Sequence, residues 1–404
     1  MKSKDGGMWG FICLYYFIVA LYSLLAYPFW HMNELIMPFA FFGCTVFLFF
    51  AARRYFSYNK YIWVVSLGLM TLLLGTRGNM NGYIVAVLKM LPFCSFVFLK
   101  DEYKLKLYKF LLRAFTLLFT ISLAGWIIYL LGIETPYYMD AYGWSDRRND
   151  VQYLYENHWI FVVNLRLIDY IVNRFSGIFM EPGYVGCLMV VFLYLEGFNY
   201  KKYCTWLFTA CLLLTFSVAG LLLYVVGIVL RNLNNSKHKV GVILLLFTLF
   251  GGAYFFFQDY KDGDNAVNLL LLDRLDFDES EGTLSGYNRT QGDFDDWFKT
   301  DFIKSPDVLF GNKSEYDRKF HDDINVGWKY YMAVCGLVGL IIYLVYLWKV
   351  SSIGRRDYYK VVLLILYVLI FMRGQYFNFS AIFMMLYFIG MLIYSDSEKQ
   401  SETI

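Results

Sequence analysis

Charge is scarce in this chain. Only 17% of its 404 residues are Asp, Glu, Lys or Arg, where a soluble protein of this length carries about a quarter. That scarcity excludes an ordinary soluble domain. Four histidines with no HExxH spacing argue against a metalloenzyme. The seven cysteines (Cys13, Cys44, Cys94, Cys187, Cys204, Cys211 and Cys335) all fall in apolar stretches. Neither a disulfide framework nor a zinc site is expected from them. The acidic stretches at 262–264 and 276–280 lack calcium-loop spacing. Internal repeats, coiled-coil heptads and low-complexity segments are missing too.

What fills the chain instead is hydrocarbon. Hydrophobic residues make up 59% and aromatic residues 21%, and long apolar runs recur from end to end. The expected fold class is all-α: a polytopic transmembrane helix bundle of about twelve spans, forming a single integral membrane domain over 1–404. Spans are expected near 8–27, 36–52, 61–75, 80–99, 110–132, 176–198, 204–217, 218–230, 240–257, 326–348, 358–372 and 379–394. The basic start MKSKDGG precedes an apolar run too long for a signal-peptide core, with no small-x-small cleavage site. The first span is therefore expected to be retained.

Short connectors rich in Lys and Arg mark the cytoplasmic side. They are RRYFSYNK (53–60), KDEYKLKLYK (100–109), NYKK (199–202), RNLNNSKHK (231–239) and KVSSIGRRDYYK (349–360). The alternate short loops carry one arginine or none, so both termini are expected inside. Residues 204–230 have basic connectors on both sides and must turn back, most simply at Ser217–Gly220. Each arm reaches only about 20 Å as helix, against a hydrocarbon core of about 30 Å. A hairpin tip below the outer surface is tolerated only where protein or a wet cavity surrounds it.

The same alternation puts two long loops outside, 133–175 and 258–325. The second holds 17 acidic and 8 basic residues, which rules against a general polyanion-binding surface, and no nucleic-acid partner is expected. Within it, Phe294, Trp297, Phe298 and Phe302 fall near helical spacing, which predicts a short amphipathic helix along the membrane surface. In the first, TPYYMDAYGWSD (135–146) mixes aromatic and carboxylate groups as sugar-binding surfaces do, or as an interfacial aromatic belt does.

Four arginines, Arg77, Arg174, Arg289 and Arg373, lie on the outer side, where the positive-inside rule does not explain them. A guanidinium fork fits a phosphate or carboxylate; it also snorkels to the interface or pairs with a nearby acid. Small residues around Arg174 and Arg289 leave room for a ligand. In NRFSGIFMEPG (173–183), Glu181 precedes Pro182. A residue before proline avoids helical geometry, whereas proline suits the first helical position. A helix is expected to start at Pro182 with irregular backbone before it, its free N–H groups facing an anion. The alternative is a kinked span with Glu181 tied to a neighbour. His321, beside Asp322 and Asp323, reads as a general base, an anion contact or a solvated histidine.

NRFSGIFMEPG resembles the R-x-S-G-x-x-x-x-P signature of bacterial O-antigen polymerases and the related O-antigen ligases. LTFSVAGLLLYVVG (214–227) resembles the S-R-A-G hairpin of that superfamily. SGYNRTQGDFDDWFKTDFIKSPDVLFGNKS (285–314) resembles its second large outer loop, and DDINVGWKYYMAVCGLVGLIIYLVYL (322–347) the polar turn and glycine-bearing span that follow. Val218 stands where the hairpin usually has arginine. His321 lies farther from Gly336 than a ligase histidine would, and Asp323 to Gly327 resemble the D-x-x-x-G turn of polymerases.

The resemblance implies a GT-C-like glycosyltransferase that joins lipid-linked repeat units at the outer face of the bacterial inner membrane. Its substrate would be an oligosaccharide on undecaprenyl diphosphate, with membrane lipid, a flippase and a chain-length regulator as partners. Arg174 and Arg289, seconded by Arg77 and Arg373, would hold the diphosphate. Glu181, His321 or Asp323 would be the base. Arginine forks can stabilise a leaving diphosphate without a metal, and no cofactor is implied. A transporter of lipid-linked sugars and a non-catalytic envelope scaffold are the rivals from other classes. Paired mid-membrane charges and repeat halves would favour a transporter.

Overall fold

The computed structural model describes residues 2–32, 36–57, 61–66, 68, 80–141, 154–165, 173–233, 248, 252, 255–258, 260–263, 265, 267–268, 272, 277–278, 283–284, 292–320, 327–355, 357–374 and 380–395. In chain order they form α1 (Lys2–Ser23), α2 (Ile36–Ala51), α3 (Met80–Phe98) and α4 (Asp101–Leu130). Three strands follow, β1 (Tyr138–Ala141), β2 (Leu154–Asn157) and β3 (Val162–Asn164). Next come α5 (Pro182–Leu195), α6 (Tyr203–Leu214), α7 (Val218–Leu233) and the short pair β4 (Phe277–Asp278) and β5 (Thr283–Leu284). The chain ends with α8 (Gly292–Trp297), α9 (Lys313–Lys319), α10 (Trp328–Ser351), α11 (Tyr358–Arg373) and α12 (Ala381–Ile393).

Among the described residues, Gly6–Ser23 of α1, all of α4 and all of α10 are long and apolar enough to cross a membrane. Shorter apolar helices include α2, α5, α6, α7 and α12. The protein is thus mostly helical, and its apolar helices suit a membrane-embedded chain. One amendment to an all-helical fold is needed in the loop after α4. There β1, β2 and β3 form an antiparallel sheet, with Met139 opposite Glu156 and Glu156 opposite Val163. Inward and outward residues alternate along β2, the period-two pattern of a half-buried strand.

The 30 residues of α4 run about 45 Å. The helix includes KDEYKLKLYK, expected as a connector. Leu, Lys and Glu are strong helix formers, and Asp101 and Glu102 in its first turn oppose the helix dipole. The charged stretch does not end the helix.

The chain divides into two compact units, one of residues 1–115 with 291–404 and one of residues 116–290. Each is built round a helix buried on every side, as an all-apolar helix requires. In the first unit that helix is α12, buried from Ala381 to Leu392 and packed by α1, α3, α10 and α11. Its polar groups are satisfied internally: the Tyr387 hydroxyl donates to Leu347 O (2.8 Å) and the Tyr367 hydroxyl to Phe383 O (2.6 Å). In the second unit it is α5, all 14 residues of which are buried, with α6 and α7 laid on it.

Within the first unit α10 is broken at Gly336, whose φ of 70° and ψ of −179° belong to a region open only to glycine. The 309–312 loop fills the break. Asn312 N donates to Ala333 O (2.8 Å) and Val338 N to Leu309 O (3.0 Å), so a neighbouring segment takes over hydrogen bonds that the helix gives up. The approach is close: a Cβ on Gly311 would strike the backbone of Val334 and Cys335, and one on Gly336 that of Leu309, Phe310 and Gly311.

Phe294, Trp297, Phe298 and Phe302 do lie on one helical stretch, but they are buried with Tyr316, Phe320 and Ala333. Protein from α9 and α10 thus covers the aromatic face. Lys329 secures it through Asp295 at 2.7 Å.

Candidate functional site

In the second unit, α5 starts at Pro182, the first helical position, and Glu181 is extended (φ −129°, ψ 137°). This is the geometry that a Glu-Pro step favours. Residues 173–181 are irregular, and their polar groups go to two neighbours. Ser176 Oγ donates to Val162 O (3.1 Å) and Val162 N to Gly177 O (2.8 Å), tying the segment to β3. Phe175 N donates to Leu214 O (2.9 Å), tying it to the end of α6. Gly177 has a left-handed φ of 57° and lies against the Phe119 ring, a turn that a side chain would strain.

Arg174 completes this arrangement. Its Nε donates to Thr215 O (2.8 Å) and its Nη2 to Phe216 O (3.0 Å). Those carbonyls end α6 and form the hairpin tip, where the last carbonyls of a helix have no intrahelical donors. A cation at this helix end also opposes the dipole. The tip falls at 215–217, slightly earlier than Ser217–Gly220. Thr215 Oγ1 donates to Leu212 O (2.7 Å) and accepts from Ser217 N (3.2 Å), and Ser217 Oγ accepts from Gly220 N (3.3 Å). Phe216 takes a left-handed φ of 44° to make the turn. Gly220 then packs on the Cα of Gly186, so α7 crosses α5 with their backbones in contact.

Glu181 is exposed at the start of α5, and its carboxylate pairs with no described residue. Arg373, in the first unit, is the last residue of α11, half-buried, and its carbonyl lies near Gly327 at the start of α10. Arg77, Arg289, His321 and Asp323 lie outside the described residues. The structure thus brings together Arg174, the hairpin tip and the entry to α5.

One group was missed in the sequence. His158 is buried beside the sheet, stacked on Phe161 with ring centres 4.4 Å apart and planes at 9°. Its Nδ1 is 2.8 Å from Thr135 Oγ1. Its Nε2 has no hydrogen-bond partner among the described residues and lies 3.7 Å from Glu156 Oε2. Burial lowers the imidazole pKa below its usual value, against the opposing pull of Glu156. The one signal was the pair Glu156 and His158, two apart, which places them on one face of an extended chain.

Comparison with family models, curated proteins and solved structures finds no match to this chain.

Proposed function

We propose that this protein is a glycosyltransferase that polymerises lipid-linked oligosaccharide repeat units into a surface polysaccharide, O-antigen or capsule. In this reading about twelve spans form a GT-C-like bundle in the bacterial inner membrane with both termini cytoplasmic, and the reaction occurs at the outer face. The observation that carries it is the packing of segments that resemble one family. The NRFSGIFMEPG segment is bonded to the 215–216 hairpin tip through Arg174, though the two lie about forty residues apart. The 309–312 loop is likewise inserted at Gly336 of α10.

The chemistry follows from a diphosphate leaving group. The acceptor hydroxyl attacks the anomeric carbon of the donor chain, and the bond from that carbon to the diphosphate oxygen breaks. The hydroxyl proton passes to a base, for which exposed Glu181 is a candidate with His321 and Asp323. Guanidinium groups stabilise the departing charge, the role assigned to Arg174 and Arg289 with Arg77 and Arg373 in support. Arg174 would serve it while also holding the hairpin tip.

A second reading has one observation in its favour. Helices interrupted in mid-course, as α10 is at Gly336, are common at transporter binding sites, which suits a flippase for the same lipid-linked sugars. Product analysis separates the readings. Loss of a polymerase leaves single repeat units on the outer side, and loss of a ligase leaves long lipid-linked polymer. Loss of a flippase traps single units inside. Arg289→Ala and Glu181→Gln are each expected to stop chain growth while the protein still inserts; normal chain-length ladders from both would overturn the polymerase site.

A further inference from the structure

The turn joining β2 to β3 holds a large aromatic ring outward. Trp159 is 64% exposed and takes a left-handed φ of 69°. A bulky side chain rarely adopts that conformation, which costs glycine little. Such strain persists only where the surroundings impose it. Asn157, fully buried, imposes it here: its Oδ1 accepts from Trp159 N (2.9 Å) and its Nδ2 donates to the Tyr138 hydroxyl (3.1 Å). The Tyr138 and Trp159 rings lie 5.3 Å apart, centre to centre.

Within the second unit this turn is laid on α4. Ser122 Oγ donates to Ile160 O (2.6 Å), and the side chains of Ile160 and Phe161 occupy the space that a Cβ on Gly125 would need. The contact falls about 8 Å before Leu130, the last residue of α4. The chain carries no charge from Ala114 to Ile133, a run about as long as a hydrocarbon core is thick. Along it Leu117, Ile121, Ala124, Ile128 and Leu131 are exposed. They lie three or four residues apart and so form one apolar stripe. On a helix long and apolar enough to cross a membrane, such a stripe suits lipid. Ser122 and Gly125 border it, and Ile160 beside them is 41% exposed.

We propose that the β2–β3 turn is a membrane anchor, with the side chains of Trp159 and Ile160 set into the boundary between headgroups and hydrocarbon beside the C-terminal end of α4. Its partner is the lipid surface. The depth suits an indole, which keeps its ring in apolar surroundings and its N–H at the wet border. The backbone of the turn is bonded inside the protein, as non-helical backbone near lipid must be: His158 N donates to Phe161 O (3.0 Å) and Ile160 N to His158 O (2.8 Å). A sugar stacked on the ring would need polar groups at its edge, and both ends of the Asn157 amide are already engaged. Because Val162 of β3 bonds to Ser176 and Gly177, the anchor also fixes the depth of the segment that carries Arg174.

The test uses the full-length protein in liposomes. The chain has 10 tryptophans, so Trp159 is read by difference, as the emission of the unaltered protein minus that of Trp159→Phe. Trp159→Gly relieves the left-handed strain and gives the same difference if phenylalanine harms folding. The difference emission is expected at shorter wavelength than that of indole in water. It should lose most of its intensity in phosphatidylcholine brominated near the headgroup end of the acyl chains, and aqueous iodide should leave it nearly unchanged. Strong quenching by iodide with none by brominated lipid would overturn the proposal and leave the ring to an aqueous partner such as a sugar. Insensitivity to both quenchers would overturn it as well, by placing protein over the ring.

Discussion

Replacing Arg174 is the sharpest perturbation the structure offers. Arg174→Ala removes two charge-assisted hydrogen bonds, at 2.8 and 3.0 Å, to the carbonyls of Thr215 and Phe216. Hydrogen bonds to a charged group contribute about 1.5–3 kcal/mol each. The two share one guanidinium, so their sum is an upper bound. Thr215 is fully buried, which limits how well water can replace the lost donors. A local loss of about 3 kcal/mol is reasonable, and that corresponds to about a hundredfold rise in opening of the hairpin tip. The assay is hydrogen–deuterium exchange on the full-length protein in lipid nanodiscs, read at the amides of Thr215, Phe216, Gly220 and Leu221. Arg174→Lys should fall between, because one ammonium cannot reproduce the planar fork that reaches both carbonyls. Unchanged exchange in Arg174→Ala would refute the reasoning outright. The result also bears on function: loss of chain growth in that variant would report tip geometry as well as any diphosphate contact. A lysine variant that restores slow exchange without restoring chain growth would separate the two.

Two further outcomes follow from the geometry. Gly336→Ala should lower folded yield and cost well over 3 kcal/mol, because a Cβ would meet the backbone of Leu309 and Phe310 at a φ of 70°; wild-type yield and unfolding temperature would show that the break in α10 is not as described. For His158 the folded pKa lies below the unfolded value, because burial disfavours the imidazolium. The unfolded chain then binds more protons as pH falls through its value of about 6.5. Stability is full above that pH and declines below it, and His158→Gln should flatten the acid limb of an unfolding-temperature profile between about pH 7 and 5. An unchanged acid limb would show that His158 does not titrate as its burial requires.

What the sequence disclosed about this molecule was local, and what it withheld was partnership. Pro182 could be read as a helix start because proline constrains its own residue and the one before it, and α5 begins there. The hairpin within 204–230 could be read because basic connectors flank it and a single span cannot have both ends on one side; α6 and α7 are its arms. Its tip was misjudged by two residues because Thr215 and Ser217 bond to nearby backbone, and such bonds compete with helix wherever these residues occur. The aromatic stripe from Phe294 to Phe302 was equally plain, but a stripe records only that one face is apolar. Lipid and protein satisfy it alike, and Tyr316, Phe320 and Ala333 turned out to cover it. Arg174 makes the same point for charge. Its position outside the basic connectors marked it as unusual, yet nothing in NRFSG encodes two carbonyls about forty residues downstream. An arginine that needs an oxygen acceptor can find it on a ligand or on the backbone, and sequence spacing does not distinguish them. The site reading therefore depends on the hairpin: a guanidinium anchored on the tip carbonyls is held in one orientation, and a fixed orientation is what a phosphate-binding fork requires.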